Sequence, residues 1–300
     1  MVCLKTPLFL GLATALVTPF AGDRIDFAAL ERLLEYQYLG GAAAVLAAGT
    51  TGEAPTLSAA EWEELVSFCC RKAGGKMKVL AGVGGNDTRA VLRRAELAAA
   101  CGADGILMST PYYNKTTQAG LLRHFFTVAD RVDLPLILYN VPARTGMTVT
   151  PETYELLSRH PRIAGVKEAS GDLRLVSRVR ALCGEELPVW SGIDADTVAM
   201  MALGAKGVVS VAANVAPQET ALLCRLCLAG RFEDARRVSL RLEPLTEALF
   251  CEVNPIPVKA ALRLMGVEAG SPRLPLVEAT PACRERRREA MGPLGLLAAG

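Results

Sequence analysis

Short apolar runs rich in Ala, Val, Ile and Leu recur along this chain, separated by longer stretches whose apolar residues return every three or four positions. The runs read as strands buried on both faces, and the stretches between them as amphipathic helices. Strands are predicted near 13–18, 42–48, 78–83, 104–109, 135–139, 162–167, 187–191 and 207–211. From Asp26 to Leu39, the residues Phe27, Leu30, Leu33 and Leu34 share one helical face, with Asp26 placed to cap the start and Gly40 to end it. Ser58-Ala59-Ala60-Glu61 has the spacing of a capping box, and Thr150-Pro151 that of an N-cap followed by proline in the first turn.

Eight strands alternating with helices within about 210 residues is the count for an α/β fold of the (β/α)8 TIM-barrel type. The structural alternative is a doubly wound open sheet. It usually has fewer strands, and no GxGxxG fingerprint opens a helix here. Gly82-Val83-Gly84-Gly85 lacks that spacing and is assigned to a turn. From about residue 213 the pattern looks helical throughout. The barrel is therefore expected to occupy residues 1–230, and a C-terminal helical extension residues 231–300. Asn254 is expected to N-cap the helix begun by Asn254-Pro255-Ile256-Pro257-Val258-Lys259.

Composition narrows the function. The 300 residues are 51% hydrophobic, enough for one large core. With 33 basic and 31 acidic residues, the net charge of +2 gives no electrostatic footprint for nucleic acid or an anionic membrane. The basic cluster Arg284-Glu285-Arg286-Arg287-Arg288-Glu289 reads as the solvated face of a terminal helix. Nine irregularly spaced cysteines, Cys3 among them, fit reduced thiols better than a disulfide framework. Cys224-Arg225-Leu226-Cys227 has no further ligands at zinc spacing, so both cysteines are expected to face the core. The two histidines, His124 and His160, show no partner for a metal site or a catalytic triad. Met1 to Pro7 has no secretory pattern, and no apolar run reaches the ~18 residues of a membrane span, so a cytoplasmic location is expected.

Candidate chemistry gathers at predicted strand ends, where barrels of this type carry their active residues. Lys167 closes the run Ile163-Ala164-Gly165-Val166. Desolvation there favours the neutral amine, which can attack a carbonyl and form a Schiff base. One strand earlier the chain supplies Tyr139 and, just beyond, Arg144; the second strand ends in Gly49-Thr50-Thr51-Gly52-Glu53 and the fourth in Thr110-Pro111-Tyr112-Tyr113-Asn114. A lone lysine after a strand is usually an exposed loop residue, a lone tyrosine usually packing, and Thr-Thr beside glycines usually turn chemistry. Together at one rim, an amine, a proton carrier and an anion clamp point to chemistry on a keto acid.

These motifs, with Tyr139-Asn140-Val141-Pro142-Ala143-Arg144-Thr145-Gly146, Gly165-Val166-Lys167-Glu168-Ala169-Ser170-Gly171 and Asn254-Pro255-Ile256-Pro257-Val258-Lys259, resemble the dihydrodipicolinate synthase (4-hydroxy-tetrahydrodipicolinate synthase) family from about residue 10 to about residue 280. The resemblance implies that Lys167 forms a Schiff base with pyruvate. It implies that Tyr139 and Thr50 relay protons, and that Tyr113 reaches across a dimer interface to complete the relay. It makes Thr51 a contact for the pyruvate carboxylate and Arg144 the clamp for the carboxylate of the second substrate, L-aspartate 4-semialdehyde. Gly192 and Val209 match positions lining the pocket. No metal or organic cofactor is implied, and a homotetramer built as a dimer of dimers is.

Related sugar-acid aldolases and N-acetylneuraminate lyases share the lysine and tyrosine, but Thr50-Thr51 and Arg144 favour the synthase. A non-catalytic keto-acid-binding barrel is disfavoured because Lys167, Tyr139, Thr50 and Tyr113 are all present. Ile193 stands where many synthases carry an acidic or polar residue, which removes an expected polar contact at the rear of the site. Ser170 replaces a common threonine and keeps the hydroxyl. Ala90 stands where lysine-sensitive members hold the effector's ammonium with a glutamate, and Ala59 and Trp62 where some have histidines. Asn86 and Tyr112 remain, but weak or absent inhibition by lysine is expected.

Overall fold

The computed structural model describes residues 5–298, so Cys3 lies outside the described residues. In chain order the elements are β1 (Gly11–Ala15), the hairpin β2 (Phe20–Ala21) and β3 (Arg24–Ile25), α1 (Phe27–Leu39), β4 (Ala44–Ala47), α2 (Ala59–Ala73), β5 (Lys78–Gly82), α3 (Thr88–Ala100) and β6 (Gly105–Ser109). There follow α4 (Gln118–Ala129), β7 (Leu136–Asn140), the one-turn α5 (Pro142–Thr145), α6 (Pro151–Ser158), β8 (Ile163–Glu168), α7 (Leu173–Cys183), β9 (Val189–Ser191), α8 (Thr197–Ala202) and β10 (Gly207–Ser210). The chain continues through α9 (Pro217–Leu228), α10 (Phe232–Leu249), α11 (Ile256–Leu264) and α12 (Pro281–Met291).

Eight of the strands close into a barrel in the order β1-β10-β9-β8-β7-β6-β5-β4, every neighbouring pair parallel. Each predicted strand is present, and the continuous apolar runs are explained by burial on both faces. The first strand sits about two residues earlier than its composition indicates, because Val17 and Thr18 belong to the buried connection into the short hairpin. The anticipated caps form. Asp26 accepts from the Ala29 N–H, Ser58 and Glu61 make a reciprocal capping box, and Thr150 accepts from the Thr153 N–H ahead of Pro151. Cys224 and Cys227 face the core from α9.

Three expectations for the C-terminal region are corrected. The segment from 265 to 280 contains no helix, and its polar groups are satisfied by the barrel instead. Arg273 donates to Glu61 and to the Thr56 carbonyl, and its backbone N–H to Glu53. Asn254 does not cap α11; its side chain is directed into the barrel mouth, where Nδ2 donates to Thr51 Oγ1 at 3.0 Å. Arg287 is not on the solvated face of α12 but fully buried, because α12 turns the Cys283–Arg287 edge inward. The main hydrophobic core runs without interruption from barrel residues such as Leu46 to Leu245, Val258 and Met291 of the extension. Among the described residues no helix is long and apolar enough to cross a membrane.

Candidate active site

The sheet register aligns the key side chains. Tyr139 on β7 is paired with Ser109 of β6 on one side and Lys167 of β8 on the other, and Lys167 is paired in turn with Trp190 of β9. The Lys167 ammonium nitrogen lies 4.3 Å from the centroid of the Tyr139 ring. Both residues open into a cavity of about 600 Å³ at the C-terminal mouth of the barrel. Thr50, Thr51, Arg144, Gly192, Tyr112 and Asn254 line the same cavity. Val209 is buried on β10, and Val211, two residues further on, lines the cavity. Tyr113 lies outside the wall of its own chain's cavity: it is 92% exposed and held at φ 65°, a left-handed conformation unusual for a non-glycine residue.

Close approach explains the glycines. A Cβ on Gly192 would sit 2.7 Å from Ala169 Cβ and 3.0 Å from Lys167 Cε, so any side chain there would displace the lysine stem. A Cβ on Gly82 would meet the Ala48 carbonyl oxygen at 2.2 Å. Gly82 and Gly84 therefore let neighbouring strand ends converge at the cavity wall, a role beyond the simple turn read from the sequence.

Burial sets the electrostatics. It holds the Lys167 amine down to about 8, against an upward pull from Asp194 and a further downward push from Arg144. Burial also pushes the Tyr139 phenol up to about 12, with Arg144 opposing and Glu168 adding to the shift. At neutral pH Tyr139 is therefore a proton-bearing hydroxyl, and Lys167 has an accessible neutral form. The next residue, Glu168, is buried and its pKa is raised by burial. Asn140 Nδ2, the Tyr154 hydroxyl and the Ser170 N–H all donate to its carboxylate.

Two parts of this arrangement are invisible in a pattern reading. Asp194 is half-buried, close enough to Lys167 to pull its pKa up, and accepts from Ser210 Oγ and from the Val211 and Ala212 N–H groups. It supplies a carboxylate one residue after the aliphatic Ile193, which itself lines the cavity. The second part is a buried ion pair between Lys259 of α11 and Glu53, 2.6 Å apart, which ties the Thr50-Thr51 loop to the extension. Asn254 reinforces that tie, donating to Thr51 and accepting at its carbonyl from Arg144 at 3.4 Å. Only the juxtaposition of Asp194 with an apolar strand end, and of Glu53 with a Gly-flanked turn, hinted at either in the sequence. Among the described residues no group of three or more His, Cys, Asp or Glu could hold a metal ion.

Known proteins carry the same architecture. The sequence model of the Dihydrodipicolinate synthetase family matches residues 8–292. The 4-hydroxy-tetrahydrodipicolinate synthase of Thermoanaerobacter sp. (strain X514) is 43% identical over 292 residues, covering 97% of this chain and 98% of the relative. That of Thermotoga neapolitana is 44% identical over 294 residues, covering 97% and 100%. The solved structure of dihydrodipicolinate synthase from Aquifex aeolicus superimposes with a TM-score of 0.95 at 42% identity, covering 97% of this chain and all of that one. The enzyme from Cyanidioschyzon merolae, solved with lysine bound, gives 0.94 at 40% identity over 97% and 100% of the two chains. A fold, a cavity and a sequence that agree over nearly the full length place this chain in the dihydrodipicolinate synthetase family.

Proposed function

We infer that this chain is a Schiff-base lyase that condenses pyruvate with L-aspartate 4-semialdehyde, giving the cyclised precursor of diaminopimelate and lysine. The observation that carries this reading is the desolvated Lys167 amine stacked on Tyr139 in a cavity that also holds Arg144. The neutral amine adds to the keto carbon of pyruvate, and loss of water gives an imine whose methyl group is acidic. Loss of a methyl proton gives an enamine, which attacks the aldehyde carbon. Tyr139, Thr50 and the partner subunit's Tyr113 carry protons in and out, assistance typically worth ~10²–10⁴-fold.

Thr51 and the neighbouring backbone take the pyruvate carboxylate, and Arg144 the carboxylate of the aldehyde. Gly192 leaves room for the lysine stem, and the buried Val209 supports the strand whose continuation, Val211, lines the cavity. The exposed Tyr113 and its strained backbone support a dimer in which each subunit completes its neighbour's relay, and we extend this to a tetramer of two such dimers. Ala90 offers no carboxylate to an effector's ammonium, so lysine at sub-millimolar concentration is expected to leave the rate unchanged.

A coupled assay tests the reaction. Pyruvate and aspartate semialdehyde are supplied with excess dihydrodipicolinate reductase, and nicotinamide oxidation is followed. Robust turnover is expected. Its absence, with pyruvate still captured on Lys167, would transfer the reading to a sugar-acid aldolase. In the same assay Arg144→Ala should lower kcat/KM for the aldehyde by roughly 10²-fold while pyruvate capture persists.

A further inference from the structure

The loop that joins α10 to α11 carries Phe250 and Asn254 into the wall of the cavity. Between them stands Cys251, half-buried, with its sulfur 2.8 Å from that of Cys283 on α12. Two further contacts hold this juxtaposition. Glu252 accepts from both the N–H and the hydroxyl of Thr280, the residue that caps α12. Ile256, Ala260 and Ala279 pack with Cys283 in a small apolar cluster separate from the main core, and Cys251 lies against it. No other pair of cysteines among the described residues has its sulfurs in contact.

The third member is Arg287, one turn after Cys283. Its side chain is fully buried, Nη1 donates to Cys283 Sγ at 2.6 Å, and Nε and Nη2 have no partner. A buried guanidinium without a bonded carboxylate is costly; the Cys283 sulfur is the group it donates to, and the Glu252 carboxylate, whose pKa it helps to lower, is the other negative charge within its reach. Burial and the neighbouring Cys251 push the Cys283 thiol up to about 12, and Arg287 acts against them. Without this cation a thiolate at Cys283 would be further out of reach.

We propose that Cys251 and Cys283 are a reversible oxidation site, a thiol pair that closes to a disulfide by exchange with a small disulfide such as glutathione disulfide. The half-buried Cys251 thiolate attacks the small disulfide, forming a mixed disulfide and releasing one glutathione thiolate. The Cys283 thiolate, supported by Arg287, then attacks Cys251 Sγ and releases the second. Two protein thiols are oxidised, one small disulfide is reduced to two thiols, and the two protons pass to the departing glutathione. The new bond ties the cavity loop covalently to α12. It asks only that two sulfurs already in contact close to the ~2.05 Å of a disulfide.

The test treats the full-length enzyme with glutathione disulfide, alkylates the remaining thiols and maps the peptides by mass spectrometry. The expected result is a Cys251–Cys283 cross-link within one chain, reversed by dithiothreitol, with Cys69, Cys183 and Cys224 still free for alkylation after unfolding. In Cys283→Ser the glutathione adduct should accumulate on Cys251. In Arg287→Met the same adduct should persist, its resolution slowed about threefold for each unit by which the thiol pKa rises, because the tenfold loss of thiolate is partly offset by its greater nucleophilicity. Cys251 and Cys283 both remaining alkylatable in the unmutated enzyme, or cross-linking to other cysteines instead, would overturn the proposal. Unchanged resolution in Arg287→Met would remove Arg287 from it.

Discussion

Lys167 couples the stability of the barrel to its chemistry through one buried amine. In the unfolded chain its amine keeps its proton to about 10.5, whereas in the folded protein burial brings release down to about 8. Between those values the unfolded chain binds more protons, so stability rises with pH across that window, and the penalty for the buried ammonium is complete below it. Lys167→Met should therefore be more stable than the parent at pH 7 by something of order 3 kcal/mol, the gap closing above pH 8. Denaturant unfolding at a series of pH values measures this; a gap that widens with pH would show the sign to be wrong. The same release predicts that kcat/KM for pyruvate rises with pH, reaches half its plateau near 8 and levels off above it as the neutral amine becomes dominant. Gly192→Ala places a methyl 2.7 Å from Ala169 Cβ, 3.1 Å from the Glu168 carbonyl oxygen and 3.0 Å from Lys167 Cε, so the lysine end is pushed towards the cavity and off its place beside Tyr139. It should cost roughly 1–3 kcal/mol of stability and lower kcat more than any effect on KM. Equal activity in that variant would mean that the displaced amine still reaches its reacting position.

At the scale of elements, the strands and caps were readable because each is a local pattern. β-run length, a capping box and a proline in the first turn are written within a few residues of one another, and Ser58-Glu61 and Thr150-Pro151 behave as their spacing requires. What could not be read was set by distant partners. Asn254 has the chemistry of an N-cap, but its side-chain amide donates instead to Thr51 across the barrel mouth. Arg287 sits in a run of charges, and only the rotation of α12 against the loop after α10 decides which arginine goes inside. Asp194 is signalled in the sequence only by its place beside the apolar strand end Ser191-Gly192-Ile193, yet it puts a carboxylate within electrostatic reach of Lys167 where Ile193 had appeared to remove one. The Glu53–Lys259 pair belongs to the same class, joining residues more than two hundred positions apart. Removing one partner leaves a buried charge, so Lys259→Met should destabilise by about 3–5 kcal/mol, and Glu53→Gln combined with it should recover much of that loss. Thermal unfolding of the single and double variants decides. Additive losses would show that the two groups do not act as a pair.

The whole molecule must account for a tyrosine that points away from its own cavity. The exposure of Tyr113 and its left-handed backbone make sense if a second subunit receives the side chain. This gives a complementation test. Tyr113→Phe and Lys167→Ala homo-oligomers should each be severely impaired. Unfolded together and refolded, they form mixed dimers in which the Lys167-bearing site of one subunit receives an intact Tyr113 from the other, and activity should return. No recovery would place the tyrosine's action within its own chain. The barrel was legible at this scale because eight similar units repeat, whereas the assembly was not, because one chain's pattern of exposed side chains does not say which of them a copy will cover.

In the inferred reaction Lys167 bonds covalently to the keto acid. The direct measurement is reduction of the enzyme with sodium borohydride in the presence of pyruvate, followed by peptide mapping. A single reduced pyruvate adduct on Lys167, absent from Lys167→Ala, is the result predicted here. An adduct on another lysine, or one that survives in Lys167→Ala, would contradict it.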